Sequence, residues 1–265
     1  MINNSKIWIV SDVDGTLMDH FYDLTPAKET IILLQRLGIP VILCTSKTKS
    51  EVKIIRDDLN LKDPYIVENG GAIYGENPDG KEWEIILGKS YSILEKILNN
   101  LSENINFKLR PLNSLSDDEA KNLTGLEGES LNLMRDRHWS MPFLNPPDNF
   151  EKDLKKLCEI YDVDIFRGNR MSHLLSKNSN KGIAIKKLLS KNKNLNVQII
   201  GLGDSPNDLP LLMNSNYKIV ISGIKGPNHL LLNELKGTEF FISKKPHGYG
   251  WKDEVTKLIT KLSKT

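Results

Sequence analysis

The chain has 265 residues and a formal net charge of +2 at pH 7, long enough for one large domain or two modest ones with an apolar core. No block of like charge points to nucleic acid or a membrane surface, and no segment approaches the ~20 apolar residues of a membrane span. Cys44 and Cys158 stand far apart and match no metal-binding spacing, so a reduced, cytoplasmic setting is expected, and the apolar run 7–10 is too short for a signal peptide.

"KIWIV" (6–10) predicts a buried strand ending in "SDVDGT". "TPAKETIILLQRLG" (25–38) predicts a helix: Thr25 can cap it, Pro26 suits the first turn, and Gly38 ends it. "PVILC" (40–44) is a second buried strand, "KSEVKIIRDDLNL" (49–61) an amphipathic helix, and "YIVENGGAIY" (65–74) a strand that breaks at its glycine pair. Short apolar strands alternating with helices predict a parallel sheet covered on both faces.

The rhythm changes from about Ser90 to His173. "LSDDEAKNLTGL" opens with a capping box, Ser116 with Glu119. A helix over "SLNLMRDR" and an extended "WSMPFL" follow. Then "NFEKDLKKLCEIYDVDIFRGNRMSHLLS" reads as a helix and two strands around a Gly168-Asn169 turn. Alternation returns with helix "NKGIAIKKLLSK", strand "VQIIGLG", helix "SPNDLPLLMN", strand "YKIVIS" and a last helix from Trp251. The expected architecture is α/β: a parallel-sheet core from residues 1–89 and 174–265, with an α+β cap of residues 90–173 standing over it.

Ligands of open parallel sheets bind at the carboxyl ends of the strands. Here those ends carry Asp12 and Asp14, then Thr45, Ser46 and Lys47, then Asp204, Ser205, Asn207 and Asp208, while Lys181 starts the helix after the insert. One chemistry needs this set. Phosphate monoesters are among the slowest bonds to hydrolyse, with enzymatic accelerations up to ~10²¹, and a carboxylate attacks phosphorus only when the phosphoryl charge is neutralised. Asp12 is the expected nucleophile, forming an aspartyl-phosphate, and Asp14 the general acid and then base. Gly15 lets the chain turn and Thr16 anchors the turn. Mg²⁺, bound by Asp12, the Asp14 carbonyl and Asp204, offsets the clustered negative charge. Lys181 adds a second positive charge, Thr45 and Asn207 hydrogen-bond the transferring group, and Asp208 orients Lys181. Each piece alone is weak; their conjunction in this order, each at a predicted strand or helix end, is strong.

The stretches "DVDGT", "CTSKT", "NKG" and "GLGDSPND" resemble, in family order, the four motifs of the haloacid dehalogenase-like phosphatases, over nearly the whole chain. Within that superfamily, "ENGGAIY", "RDRHWSMPF", "RGNRMSHLL" and "GPNH" resemble the mannosyl-3-phosphoglycerate and glucosyl-3-phosphoglycerate phosphatases. The resemblance implies a Rossmann-like core, Mg²⁺, and removal of phosphate from a small sugar-linked 3-phosphoglycerate in compatible-solute synthesis. The family's acidic residue before the cap proline is Met141 here, and "PHGYGW" is longer than the usual turn; mannose and glucose both stay open.

A substrate with a phosphate and a carboxylate suits arginine. The insert offers Arg135, Arg137, Arg167 and Arg170, with His138 and His173 nearby; Arg167 and Arg170, beside the expected Gly-Asn turn, are favoured. Asn69, Gly70 and Gly71 are expected to let a ligand approach the backbone. Ser46 and Lys47 are substrate-binding candidates, Lys47 for an acidic group. His20 and His247 are read as turn residues, Cys44 as a buried strand residue, and Trp139 and Phe143 as sheet core before a sugar platform. Another sugar phosphate such as sucrose phosphate stays open. So does a phospho-receiver module, though the third strand ends in "VENGG" without the aspartate such modules phosphorylate. A catalytically dead binding protein is the remaining class, opposed by the full acid–base and metal set.

Overall fold

In a computed structural model, the described residues are 7–19, 21–168, 170–192 and 196–263. His20 and Asn169, both expected in turns, lie outside them. The first part of the chain runs β1 (Ile7–Ser11), α1 (Thr25–Arg36), β2 (Val41–Leu43), α2 (Lys49–Asp58), β3 (Tyr65–Val67), β4 (Ala72–Glu76) and β5 (Glu82–Ile86). A middle segment follows with α3 (Tyr91–Asn104), α4 (Asp117–Thr124), α5 (Gly128–Arg135), β6 (Met141–Leu144), α6 (Glu151–Tyr161), β7 (Val163–Arg167) and β8 (Met171–Ser176). The last part holds α7 (Lys181–Lys191), β9 (Gln198–Gly203), α8 (Leu209–Met213), β10 (Tyr217–Ser222), α9 (His229–Glu234), β11 (Phe241–Pro246) and α10 (His247–Leu262).

Five strands from the two outer parts form one parallel sheet, ordered β11-β10-β9-β1-β2. Strands covered on both faces must be apolar throughout, and these are: Trp8, Ile9 and Val10 of β1 are buried, as are Val41, Ile42 and Leu43 of β2. Alternate residues feed opposite cores. Ile9 joins the cluster under α1 and α10, whereas Trp8 and Val10 join the one that includes Ala184, Ile185 and Leu188 of α7. With β1 between β9 and β2 in the sheet, its tip is set between theirs, where ligands of such sheets bind.

The middle segment builds its own sheet, β6-β8-β7, all antiparallel. One face packs on α3 and α6 through Leu98, Met141, Phe143, Leu154 and Leu174. Met141 is fully buried there and belongs to the core of the middle segment. Phe143 is core as expected. Trp139 precedes the strand and donates its indole N–H to the Tyr74 hydroxyl at 3.0 Å.

Four local expectations change. Thr25 does not cap α1; Leu24 holds that position and Thr25 is the first helical residue. The stretch 65–74 is no interrupted strand but an antiparallel hairpin, β3 and β4 joined by a tight 3₁₀ turn over Glu68–Gly70. Strand β8 runs on to Ser176, past the expected boundary at His173. The last helix begins at His247, four residues before Trp251; His247 takes a positive φ of 47° and its ring Nδ1–H donates to the Gly15 carbonyl at 2.8 Å.

Candidate active site

The ladder between β1 and β9 continues one residue beyond β1, with Asp12 N–H donating to the Leu202 carbonyl at 2.9 Å. This puts the Asp12 side chain at the sheet's edge, buried and facing the β9 tip. The chain then turns tightly, Gly15 N–H to the Met18 carbonyl at 2.9 Å. Gly15 has φ +81°, and a Cβ there would lie 2.6 Å from Asp204 Oδ2, so glycine alone lets Asp204 lie over the turn. Thr16 anchors the arrangement from the other side, its hydroxyl donating to Asp204 Oδ1 at 3.0 Å.

Asn180 caps α7 by accepting from Ile183 N–H at 2.9 Å, which makes Lys181 the first helical residue. The Lys181 ammonium donates to Asp12 Oδ1 and to Asp208 Oδ1, both at 2.6 Å. Asp208 spends its other oxygen on the Asp204 and Ser205 amides at 2.9 and 3.1 Å. It is thereby saturated: it aims the lysine and shapes the turn after β9. Burial alone would lower the Lys181 pKa, but Asp12 and Asp208 overcome it and hold the ammonium above the ordinary lysine range.

Oxygens of Asp12, Asp204 and Asp208 lie within 4.8 Å of one another. Asp12 Oδ2 and Asp204 Oδ2 receive no hydrogen bond among the described residues. Burial, then the Asp208 charge, push the Asp12 carboxyl up to about 7 despite Lys181; burial, then Asp208 and Asp12, raise Asp204 well above the carboxylate range. A buried and a half-buried carboxylate with open oxygens and too little positive charge are a fit for a hard divalent cation with oxygen ligands.

Asp14 sits at the mouth, its side chain 44% exposed, 3.1 Å from Lys47 Nζ. Lys47 is neither a solvated charge nor free for an acidic ligand. It also pairs with Glu51 at 3.3 Å and lies 5.0 Å over the Tyr22 ring. Burial works against its charge, but Asp14 and Glu51 hold its pKa above the ordinary range. Thr45 is fully buried and accepts from Lys47 N–H at 3.2 Å. Asn207 donates to Asn69 Oδ1 at 3.2 Å, tying the turns after β9 and β3 together.

Gly70 and Gly71 do not open space for a ligand. A Cβ on Gly70 would lie 2.3 Å from the Asn180 carbonyl, and one on Gly71 would lie 2.4 Å from Trp139 Cβ, so these glycines admit the start of α7 and the middle segment. Nor are the favoured arginines gathered at Asp12. Arg167 pairs with the exposed Asp148 at 2.6 Å, and Arg170 donates to the Thr124 carbonyl at 2.8 Å, although its charge reaches Tyr22. Ser46 is held through its carbonyl, which accepts from Arg137 Nη1 at 2.9 Å. Cys44 is a buried strand-end residue whose thiol is pushed up by burial.

Three contributors were not singled out from sequence. Glu51 was readable, since Thr48 and Glu51 form the capping box of α2. Glu68, an acid just before the Asn-Gly-Gly turn, accepts from the His138 and Trp139 amides at 3.0 and 3.1 Å. Tyr22 had no sequence signal; it lines a cavity of about 310 Å³ with Lys47 and Glu51 on one side and Leu126, Ser130 and Leu133 of the middle segment on the other.

Fold and site define a hydrolase class: the sequence profile of the haloacid dehalogenase-like hydrolases matches residues 9–123 and 131–223, and the chain belongs to that family. It is similar to a glucosyl-3-phosphoglycerate/mannosyl-3-phosphoglycerate phosphatase of Persephonella marina, 30% identical over 274 residues that cover 97% of this chain and 98% of the relative. A protein of the same name from Methanococcoides burtonii is 29% identical, covering 96% of this chain and 97% of its own. A crystal structure from Thermoplasma acidophilum shares the fold with a TM-score of 0.69 at 21% identity, covering 94% of this chain and 96% of that one.

Proposed function

We propose that this hydrolase removes phosphate from a glycosyl-3-phosphoglycerate, glucosyl or mannosyl, releasing the glycosylglycerate used as a compatible solute. The observation that carries the reading is the Asp12 carboxylate, held at 2.6 Å by Lys181 through one oxygen and open at the other beside Asp204. Substrate class is supported by the two relatives named above, which match this chain almost end to end.

The Asp12 carboxylate attacks phosphorus, the bond to the ester oxygen breaks, and Asp14 gives that oxygen its proton. Water then attacks the aspartyl-phosphate, Asp14 takes the proton, and Asp12 is regenerated as phosphate leaves. Thr45 is built to donate: its oxygen already accepts from Lys47 N–H, so its proton is left for a phosphoryl oxygen. Lys181 neutralises charge on the transferring group, and Asn207 is placed to donate to it. Asp12, Asp204 and the Asp14 carbonyl would hold Mg²⁺, which would supply the remaining positive charge an anionic carboxylate needs to approach an anionic ester. The leaving group extends from Asp14 into the cavity beside Lys47, and the middle segment acts as a cap that closes over it.

The test is steady-state turnover with Mg²⁺ on glucosyl-3-phosphoglycerate, mannosyl-3-phosphoglycerate, sucrose phosphate and 3-phosphoglycerate. The reading expects one or both glycosyl-phosphoglycerates to lead in kcat/KM. A lead for sucrose phosphate would overturn it.

A further inference from the structure

Arg137 belongs to the middle segment, yet its guanidinium is buried against the loop after β2. Its Nη1 donates to the Ser46 carbonyl at 2.9 Å. The same rigid peptide unit carries the Lys47 N–H that donates to Thr45 Oγ1 at 3.2 Å. A threonine hydroxyl has one proton and two lone pairs. With a lone pair engaged by that N–H, the direction left for the proton depends on the plane of the Ser46–Lys47 peptide. Thr45 Oγ1 donates to no described group.

Arg137 is itself fixed. Nε donates to the Met134 carbonyl at 3.1 Å and Nη1 to Ser140 Oγ at 3.1 Å. Ser140 passes its proton-side contact to Glu68 Oε2 at 2.6 Å. The Glu68 turn closes the circuit through its backbone, Glu68 N–H to the Lys47 carbonyl and Asn69 N–H to the Thr45 carbonyl, both 2.9 Å. Glu68 and Asn69 adopt φ of 49° and 57°, a left-handed pair that costs energy in non-glycine residues and that packing must enforce. The loop bearing Thr45 is thus clamped between a buried guanidinium on one side and a strained turn on the other.

We infer that Arg137 is a positioning residue for phosphoryl transfer, acting through the Ser46–Lys47 peptide on the Thr45 hydroxyl, with Ser140 and Glu68 holding the guanidinium in place. The inference rests on the reading that Thr45 donates to the transferring phosphoryl group. It makes the alignment of a core donor depend on the middle segment being docked, beyond that segment's part in enclosing the leaving group.

A double-mutant cycle on the full chain with Mg²⁺ and para-nitrophenyl phosphate tests it, a probe that does not depend on the sugar assignment. Losing one preorganised donor lowers kcat by about a hundredfold or more, the loss expected for Thr45→Val. Arg137→Lys keeps the charge but not the fork, and is expected to cost about tenfold in kcat in the natural chain and under about twofold in the Thr45→Val background, with KM steady. Ser140→Ala, a milder change, should show the same dependence if Arg137→Lys folds poorly. Full kcat in Thr45→Val would sink the reading of Thr45 and this inference with it. A large loss at Thr45 with an undiminished loss from Arg137→Lys in the double variant, or none in the single one, would overturn the inference alone.

Discussion

Lys181 and Asp208 form an ion pair at 2.6 Å in which neither side chain reaches solvent. A lysine at a helix start is ordinarily a solvated surface group; here the turn after β9 folds Asp208 back under it, and the ammonium is aimed at Asp12. Removing one partner of such a pair leaves a buried charge uncompensated, at a cost of about 3–5 kcal/mol. Asp208→Asn leaves Lys181 with Asp12 alone, so it should lower urea-unfolding stability by less than that, about 1–3 kcal/mol, and lower turnover with it. Full stability with lost turnover would mean that Asp208 acts on the reaction and not on Lys181.

Metal and pH are linked through Asp12 and Asp204. Their folded pKa values stand above the unfolded one, Asp12 at about 7 against 3.8. In the metal-free protein their contribution is present below pH 3.8 and is lost as pH rises through 7, because the folded state binds the extra protons in that window. A cation that binds the ionised pair should reverse this. Thermal melts should show a larger Mg²⁺-induced rise at pH 8 than at pH 5, and Asp204→Asn should abolish the rise. An equal shift at both values would contradict the assignment.

His173 makes the opposite contribution. Burial, and after it the Arg137 guanidinium, push its imidazole down to about 3 from 6.5. The unfolded chain takes up the proton first, so stability is full above pH 6.5 and falls as pH drops toward 3, by at most about 1.4 kcal/mol per unit. His173→Gln should flatten urea-unfolding stability over that window. An unchanged slope would place the acid sensitivity elsewhere.

Ser130 lies exposed on α5 at the wall of the 310 Å³ cavity, so a large side chain there fills space without disturbing a core. Ser130→Trp should raise KM for the glycosyl-3-phosphoglycerate about tenfold or more, the scale of a lost contact surface, and leave para-nitrophenyl phosphate unaffected. Arg167→Ala, by contrast, removes only an exposed pair with Asp148 and should leave both KM values alone. Equal effects on both substrates from Ser130→Trp would move the leaving group out of this cavity.

Much of this was legible because local chemistry and global fold agree. Apolar runs that end abruptly in aspartate or threonine, as at Asp12 and Thr45, identify strand tips of a covered parallel sheet. The capping box of Ser116 with Glu119 is legible for the same local reason. What escaped reading was set by tertiary approach. Gly70 and Gly71 look like ligand-facing glycines, yet the backbone of Asn180 and the side chain of Trp139 occupy the space. Lys47 looks available for an acid, yet Asp14 and Glu51 claim it. Arg137, two residues from Arg135, differs from it only by what the fold brings near: Ser46 for one, Asp117 for the other. Spacing along the chain carries no information about such partners.

The most direct test of the account is to quench the reaction in acid within its first turnovers and map the protein by mass spectrometry. A phosphoryl group on the peptide containing Asp12, absent when Asp12→Asn is used and when Mg²⁺ is chelated, is the expected result. Turnover at the ordinary rate by Asp12→Asn, or a phosphoryl group carried on some other residue, would contradict it.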